Sequence, residues 1–139
     1  MNIFWYRRDL RINDNTALNI ALKSGSKTQA IFIFDSKITN ELELNDPRIS
    51  FIYKQLDKIN KKLNSFGSSL KIYCGDPIII WQKIIVKSKI DAVYINHDYE
   101  PYAITRDDKV KKILKNKNIP FFSFKDQVIF EKNDIVKND

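Results

Sequence analysis

Two short stretches hold most of the side chains that could do chemistry in this chain. One is Arg7-Arg8-Asp9-Leu10-Arg11 and the other is His97-Asp98-Tyr99-Glu100-Pro101-Tyr102. Lysine far outnumbers arginine here, so three arginines within five residues stand out. A planar guanidinium suits a carboxylate pair or a flat anionic ligand better than the point charge of lysine does. Arg7, Arg8 and Arg11 therefore read as serving an anionic ligand or an ion-paired domain interface. Asp98 and Glu100 are spaced like a pair of acid–base carboxylates. Hydrolysis would also need a nucleophile, a third partner or a metal cluster, and the sequence around them has none. The readings left are pairing with Arg8 or Arg106, and hydrogen-bonding of a heteroaromatic ring. Tyr99 and Tyr102 either stack on such a ring or cover the sheet edge. Asp9 and Asp14 read as loop-ordering and capping carboxylates, His97 as a loop histidine, Cys74 as a buried inert thiol, and Trp5 and Trp81 as core.

These residues need a scaffold, and composition narrows which one. The 139 residues are 43% apolar and 12% aromatic, which suits one globular domain. Twenty-four basic residues against seventeen acidic ones leave a net charge of +7. That balance favours an anionic partner, although lysine-rich faces serve solubility equally well. Three glycines, Gly25, Gly67 and Gly75, cannot build a GxGxxG fingerprint or a P-loop, so the usual phosphate-cradling loops are excluded. A single cysteine excludes a disulfide within the chain, and a single histidine argues against a zinc site. No apolar run approaches the ~20 residues of a membrane-spanning helix. The N-terminal arginines follow the apolar stretch Ile3–Tyr6, the reverse of a signal peptide. The expectation is a soluble, cytoplasmic domain that makes no membrane contact.

Periodicity supplies the elements. Asn2–Tyr6, Ala30–Phe34, Leu70–Cys74, Asp91–Asn96 and Ile119–Phe124 read as strands, several of them continuous apolar runs suited to burial on both faces. Asp14 or Asn15 can cap a helix to about Ser24, with Leu18, Ala21 and Leu22 inward. Ile49, Ile52, Leu56, Ile59, Leu63 and Phe66 mark the inner face of a second helix, from about Arg48 to Phe66. Asp76-Pro77 opens a third helix, which carries Ile80, Trp81, Ile84 and Ile85, and Ala103–Lys117 reads as a fourth. Ser36–Pro47 shows no period. Five strands alternating with helices imply a three-layer, doubly wound parallel sheet.

Such sheets bind ligands beyond the carboxyl ends of their strands, where strand order reverses. The two charged stretches follow the first and fourth strands, whereas Gly75-Asp76-Pro77 after the third is only a turn and cap. Strands one and four should therefore be neighbours, which gives the order 3-2-1-4-5. Arg8 and Arg11 would then face Asp98 and Glu100 across a cleft lined by Tyr99 and Tyr102.

The same two stretches carry a family likeness. WYRRDLRINDNTAL followed by VYINHDYEPYAITRD resembles the N-terminal domain of the DNA photolyase/cryptochrome family, and Phe32–Asp35, Gly75-Asp76-Pro77 and Phe124–Phe130 fall in family order. The resemblance implies a Rossmann-like domain over residues 1–125 that holds an antenna chromophore, and an interdomain linker starting within residues 126–139. It also implies a partner helical domain, absent from this sequence, that binds FAD and splits pyrimidine dimers in damaged DNA under light. Arg8, Asp98, Glu100 and Arg106 match positions of the family's flavin or deazaflavin antenna pocket. Folate-type relatives have an Asn-Glu pair where this chain has Tyr102 and Ala103, which favours flavin or deazaflavin over methenyl-tetrahydrofolate. The implied function is the antenna domain of a deoxyribodipyrimidine photolyase, inactive without its helical domain. The alternatives are a cryptochrome-type photoreceptor, a free-standing nucleotide-binding module and a basic nucleic-acid-binding domain. A domain built to pack against a larger one should also expose an apolar patch adjoining the Arg7–Arg11 loop and the tail, and so self-associate or make crystal contacts there.

Overall fold

The computed structural model describes residues 1–43 and 45–126. Five strands, β1 (Asn2–Tyr6), β2 (Thr28–Asp35), β3 (Leu70–Gly75), β4 (Ala92–Asn96) and β5 (Phe121–Phe124), form one all-parallel sheet. Its order is β3-β2-β1-β4-β5, as the charged loops require. The helices are α1 (Thr16–Lys23), α2 (Ser36–Thr39), α3 (Pro47–Ser65), α4 (Pro77–Lys87) and α5 (Pro101–Asn116). Most of the linker expected over 126–139 lies outside the described residues.

Alternation along the central strands divides the core in two, because successive side chains point to opposite faces. Phe4, Tyr6, Phe32 and Phe34 pack with Leu18 of α1 and Leu56, Ile59 and Leu63 of α3. Ile3, Trp5, Ile31, Val93 and Ile95 pack on the other face with Trp81 and Ile84 of α4 and Val110 and Leu114 of α5. Trp5 meets Trp81 edge-on, with 5.5 Å between ring centroids. Both are almost fully buried, each worth roughly 1.5–3 kcal/mol or more of transfer free energy.

Local chemistry starts and stops these helices. The Asn15 side chain accepts from Leu18 N at α1, and Asp76 accepts from Ile78 N at α4 with Pro77 in the first turn. Asp14, the alternative cap, instead adopts φ 52° one residue earlier. Other expectations shift. Leu22 and Phe66 are exposed, since each lies beyond the stripe its helix turns to the sheet. Cys74 is exposed too, because β3 is an edge strand that α3 covers incompletely. Helix α5 begins at Pro101, two residues early, and β5 is two residues shorter at its start than the apolar run suggests. Ser36, expected in a loop, opens the short α2, capped by Asp35 accepting from Lys37 N.

A buried polar knot closes the end of the sheet. Asn96, at the end of β4, donates to Asp9 Oδ2 at 2.5 Å and to Asn15 Oδ1 at 2.8 Å, and accepts from Ala17 N at 3.0 Å. Asp9 also accepts from Arg7 N at 2.9 Å. The loop after β1 is thereby fastened to β4 and to the start of α1. Asn96→Ala would leave the Ala17 N–H and one buried Asp9 oxygen short of partners, a cost of roughly 2–4 kcal/mol. Urea unfolding should show that loss for Asn96→Ala and almost none for Asn13→Ala on the exposed loop.

Candidate functional site

Past the carboxyl ends of β1 and β2 lies a cavity of about 600 Å³. Two walls enclose it, one from each face of the sheet. Ile38 and Leu42 from α2 and its continuation, with Ile49 and Ile52 from the first turns of α3, make a mostly apolar wall that also carries Thr39 and Arg48. Asp98, Glu100, Tyr102 and Arg106, from the end of β4 and the start of α5, make the opposite, polar one. Arg7 and Arg8 close the side under β1, and Phe32, Ile33, Phe34 and Asp35 form the floor. All four residues assigned from the resemblance, Arg8, Asp98, Glu100 and Arg106, therefore line one space. The Ser36–Pro47 segment contributes Ile38, Thr39 and Leu42 to its wall.

The polar wall is a buried charge cluster. Arg106 has Asp107 Oδ1 at 3.3 Å from Nε, Asp35 Oδ2 at 3.7 Å from Nη1 and Asp98 Oδ2 at 3.9 Å from Nη2. Only the first is close enough to count as a hydrogen bond, and Nη2 is buried with no acceptor at all. Asp107 Oδ2 also takes the Arg7 guanidinium, at 2.6 Å. Both guanidiniums lie over the Trp5 ring, 5.0 and 5.1 Å from its centroid, a cation–π contact strengthened by their burial. The Tyr102 hydroxyl donates to Asp35 Oδ2 at 2.6 Å. Loss of solvent, then the hydrogen bond to Asp35 and its charge, push the Tyr102 hydroxyl above the ordinary phenol range. Tyr102 thus remains a donor at any physiological pH.

The three N-terminal arginines part company. Arg7 is buried, donates to the Asn96 carbonyl and pairs with Asp107, so its ion pair lies inside the domain and not at an interface. Arg8 meets Glu100 at 3.0 Å with both side chains mostly exposed, a contact worth less than about 1 kcal/mol. Arg11 does not face Asp98 or Glu100. It turns back to the Asp14 carbonyl and pairs with Asp126, which also accepts from Thr16 N at 2.9 Å. Tyr99 leaves the cleft as well and lines a separate concavity with Ile104 and Phe121–Phe124, between α5 and the edge strand β5. Tyr99, Ile104 and Phe122 are exposed around this concavity, beside the strand that leads into the tail, while most of the tail lies outside the described residues. Sequence reasoning missed Asp107 and Asp35. The Arg106-Asp107 dipeptide was visible, but not its partner Arg7 a hundred residues away.

No helix among the described residues is long and apolar enough to cross a membrane. Truncating Asp107 to Ala strands two buried guanidiniums and should destabilise the fold by about 3–5 kcal/mol, read from the urea midpoint, whereas Arg8→Ala should leave that midpoint nearly unchanged. Tyr102 also sets an alkaline limit. The unfolded phenol ionises near its ordinary 10.0 while the folded one stays protonated, so stability should fall as pH rises above that value. Tyr102→Phe should flatten part of the fall in melting temperature between about pH 9.5 and 11.

Comparison with known proteins agrees with this architecture. A family model described as DNA photolyase matches residues 2–139. The deoxyribodipyrimidine photo-lyase of a Synechococcus strain is 29% identical over 134 residues, which cover 96% of this chain and 28% of the relative. Cryptochrome-1 of Anopheles gambiae is 28% identical over 126 residues, covering 85% of this chain and 23% of its own length. The crystal structure of an archaeal photolyase from Sulfolobus tokodaii matches with a TM-score of 0.83 at 31% identity, over 97% of this chain and 31% of that one. The chain spans less than a third of each of these proteins. Sheet order, the motifs after β1 and β4, and the family match over all but the first residue agree, and the chain belongs to the DNA photolyase family.

Proposed function

We propose that this chain is the antenna domain of a deoxyribodipyrimidine photo-lyase, with a flavin-type chromophore held in the cavity between α3 and α5. One observation carries the reading. Arg8, from the loop after β1, and Asp98, Glu100 and Arg106, from the stretch between β4 and the second turn of α5, converge on one cavity of about 600 Å³ at the carboxyl end of the sheet. That volume suits a tricyclic ring, and cavities of this kind sit where α/β sheets bind cofactors. The donor set fits as well. Arg106 and Asp98 set a donor group beside an acceptor group, and the facing wall is mostly apolar.

The Sulfolobus tokodaii relative was solved with two FAD molecules, implicating a novel light-harvesting cofactor. This supports a flavin over a folate here, as do Tyr102 and Ala103, which cannot offer a pterin the hydrogen bonds of an Asn-Glu pair. Bound, the chromophore supplies absorption of light and transfer of its excitation energy. The chain's residues do the holding. Arg106 and Asp98 would hold the chromophore's polar groups, Asp107 keeps Arg106 in place, and Ile38, Leu42, Ile49 and Ile52 would exclude water. Residues 126–139 are read as the start of an interdomain linker, and a helical FAD domain as the partner that acts on DNA. The mosquito cryptochrome keeps a light-sensing role as the second reading. Dimer repair by a protein carrying both domains would decide against it.

The test is fluorescence titration of the chain with FMN, a deazaflavin and methenyl-tetrahydrofolate. Flavin-type ligands should bind more tightly than the folate. Asp98→Ala should weaken them by roughly 1–3 kcal/mol by removing a buried acceptor, and Arg8→Ala by less, since Arg8 is exposed. Tighter folate binding, or flavin binding indifferent to Asp98→Ala, would overturn the assignment.

A further inference from the structure

The sheet has two edges, and they are not protected alike. On β3 the exposed Lys71 stands within the strand, the kind of charge that keeps an edge from pairing with another chain. The other edge, β5, reads Phe121-Phe122-Ser123-Phe124 and carries no charge. Its pairing with β4 uses only half of its backbone. Val93 N donates to the Pro120 carbonyl at 2.9 Å, and His97 N donates to the Phe124 carbonyl at 2.7 Å. Backbone groups alternate in direction along a strand. Phe122 and Phe124 therefore face β4, and Phe121 and Ser123 turn both N–H and C=O to the open edge.

The two faces beside this edge differ in chemistry. On one face a concavity of about 610 Å³ separates α5 from β5, with Ile104 and Lys111 on the helix and Phe121 and Ser123 on the strand. It continues past Lys111 and Phe121 into a second concavity of about 370 Å³, where Lys115 joins. Asp98 and Asp107 also reach the first, but both are buried with Arg106 and Arg7. Two exposed lysines one helical turn apart thus stand against one exposed carboxylate, Asp108. On the other face Phe122 is 43% exposed, its ring 5.3 Å from that of Tyr94.

We propose that β5 takes an extended acidic peptide segment of a partner protein as a sixth strand. Side chains alternate across a strand, so acidic ones would reach Lys111 and Lys115 while apolar ones cover Phe122. Charge disfavours a second copy in this place. Pairing β5 with itself about a two-fold axis would bring the lysine flanks of two α5 helices together, and each chain carries a net charge of +7. A nucleic acid could use the lysines and the aromatic rings, but it would leave the edge N–H and C=O of Phe121 and Ser123 unanswered. A peptide backbone answers both. This edge is distinct from the cavity at the carboxyl end of β1 and β2, and the proposal stands apart from the antenna reading.

Fluorescence anisotropy of the full chain tests it with a labelled Glu-Val-Glu-Val-Glu-Val peptide. Its comparators are the Lys-Val counterpart, the acidic peptide with every amide N-methylated, and a dT oligonucleotide. The acidic peptide should bind at least about tenfold more tightly than the other two peptides, since one lacks the charge and the other the backbone donors. Ser123→Pro removes an outward N–H and spares the pairing with β4, so it should weaken the acidic peptide by about tenfold. Lys111→Glu with Lys115→Glu should reverse the preference between the acidic and basic peptides. Absence of peptide binding overturns the proposal, and so does an N-methylated peptide that binds as well as its parent. It is equally overturned by an oligonucleotide preferred to the acidic peptide, or by a dimer of the chain that Ser123→Pro dissociates. Should Ser123→Pro not fold, the N-methylated peptide and the lysine variant decide the matter.

Discussion

A parallel sheet whose strand order reverses between β1 and β4 leaves a crevice at its carboxyl end, and the chain has to hold that crevice open without leaving polar backbone stranded. It does so with buried polar side chains. Asn96 joins Asp9, Asn15 and the first turn of α1 in one knot. Its own carbonyl takes the Arg7 guanidinium. Every other feature of the site depends on that closure, because it sets where the loops after β1 and β4 leave the sheet. Hydrophobic burial could press the layers together, but it is non-directional and would not fix the register of two loops. Hydrogen bonds among fully buried groups do, since any slip leaves donors or acceptors unmet.

The second constraint is electrostatic. Arg7 and Arg106 share the Asp107 carboxylate and flank the Trp5 ring, so two guanidiniums are desolvated within one cluster. Burying such charges adds little net stability compared with a well-packed apolar core. What the cluster provides is position. Arg106 is held by Asp107 behind it and faces Asp35 and Asp98 at longer range, with one buried nitrogen that has no acceptor.

The apolar half of the cavity follows from packing. The inner stripe of α3 buries Leu56, Ile59 and Leu63 against the sheet, and the same stripe continues through Ile52 and Ile49 past the strand ends. There is no sheet there to cover it. The residues that begin as core therefore end as the wall of a cavity, and the contrast with the α5 wall arises without a separate device.

The sequence alone determined the layers, the strand order and the two loops that meet. Continuous apolar runs, a helical stripe of threes and fours, and capping pairs such as Asp76-Pro77 are local patterns, and each needs only its own neighbours to form. The charged stretches after β1 and β4 meet at one cavity, and the residues that the family likeness points to, Arg8, Asp98, Glu100 and Arg106, line it. Tertiary structure decided how like residues were divided. Arg7, Arg8 and Arg11 have the same chemistry within five positions, yet one is buried on Asp107, one lies exposed on Glu100, and one turns away to Asp126. Those partners stand roughly a hundred residues away in sequence, and no local pattern encodes which guanidinium reaches which carboxylate. Cys74 is exposed instead of buried, and Tyr99 lies by the sheet edge instead of in the cleft, for a related reason. Their exposure depends on which strand forms the sheet edge and how far the neighbouring helix extends over it, and only the assembled sheet sets either.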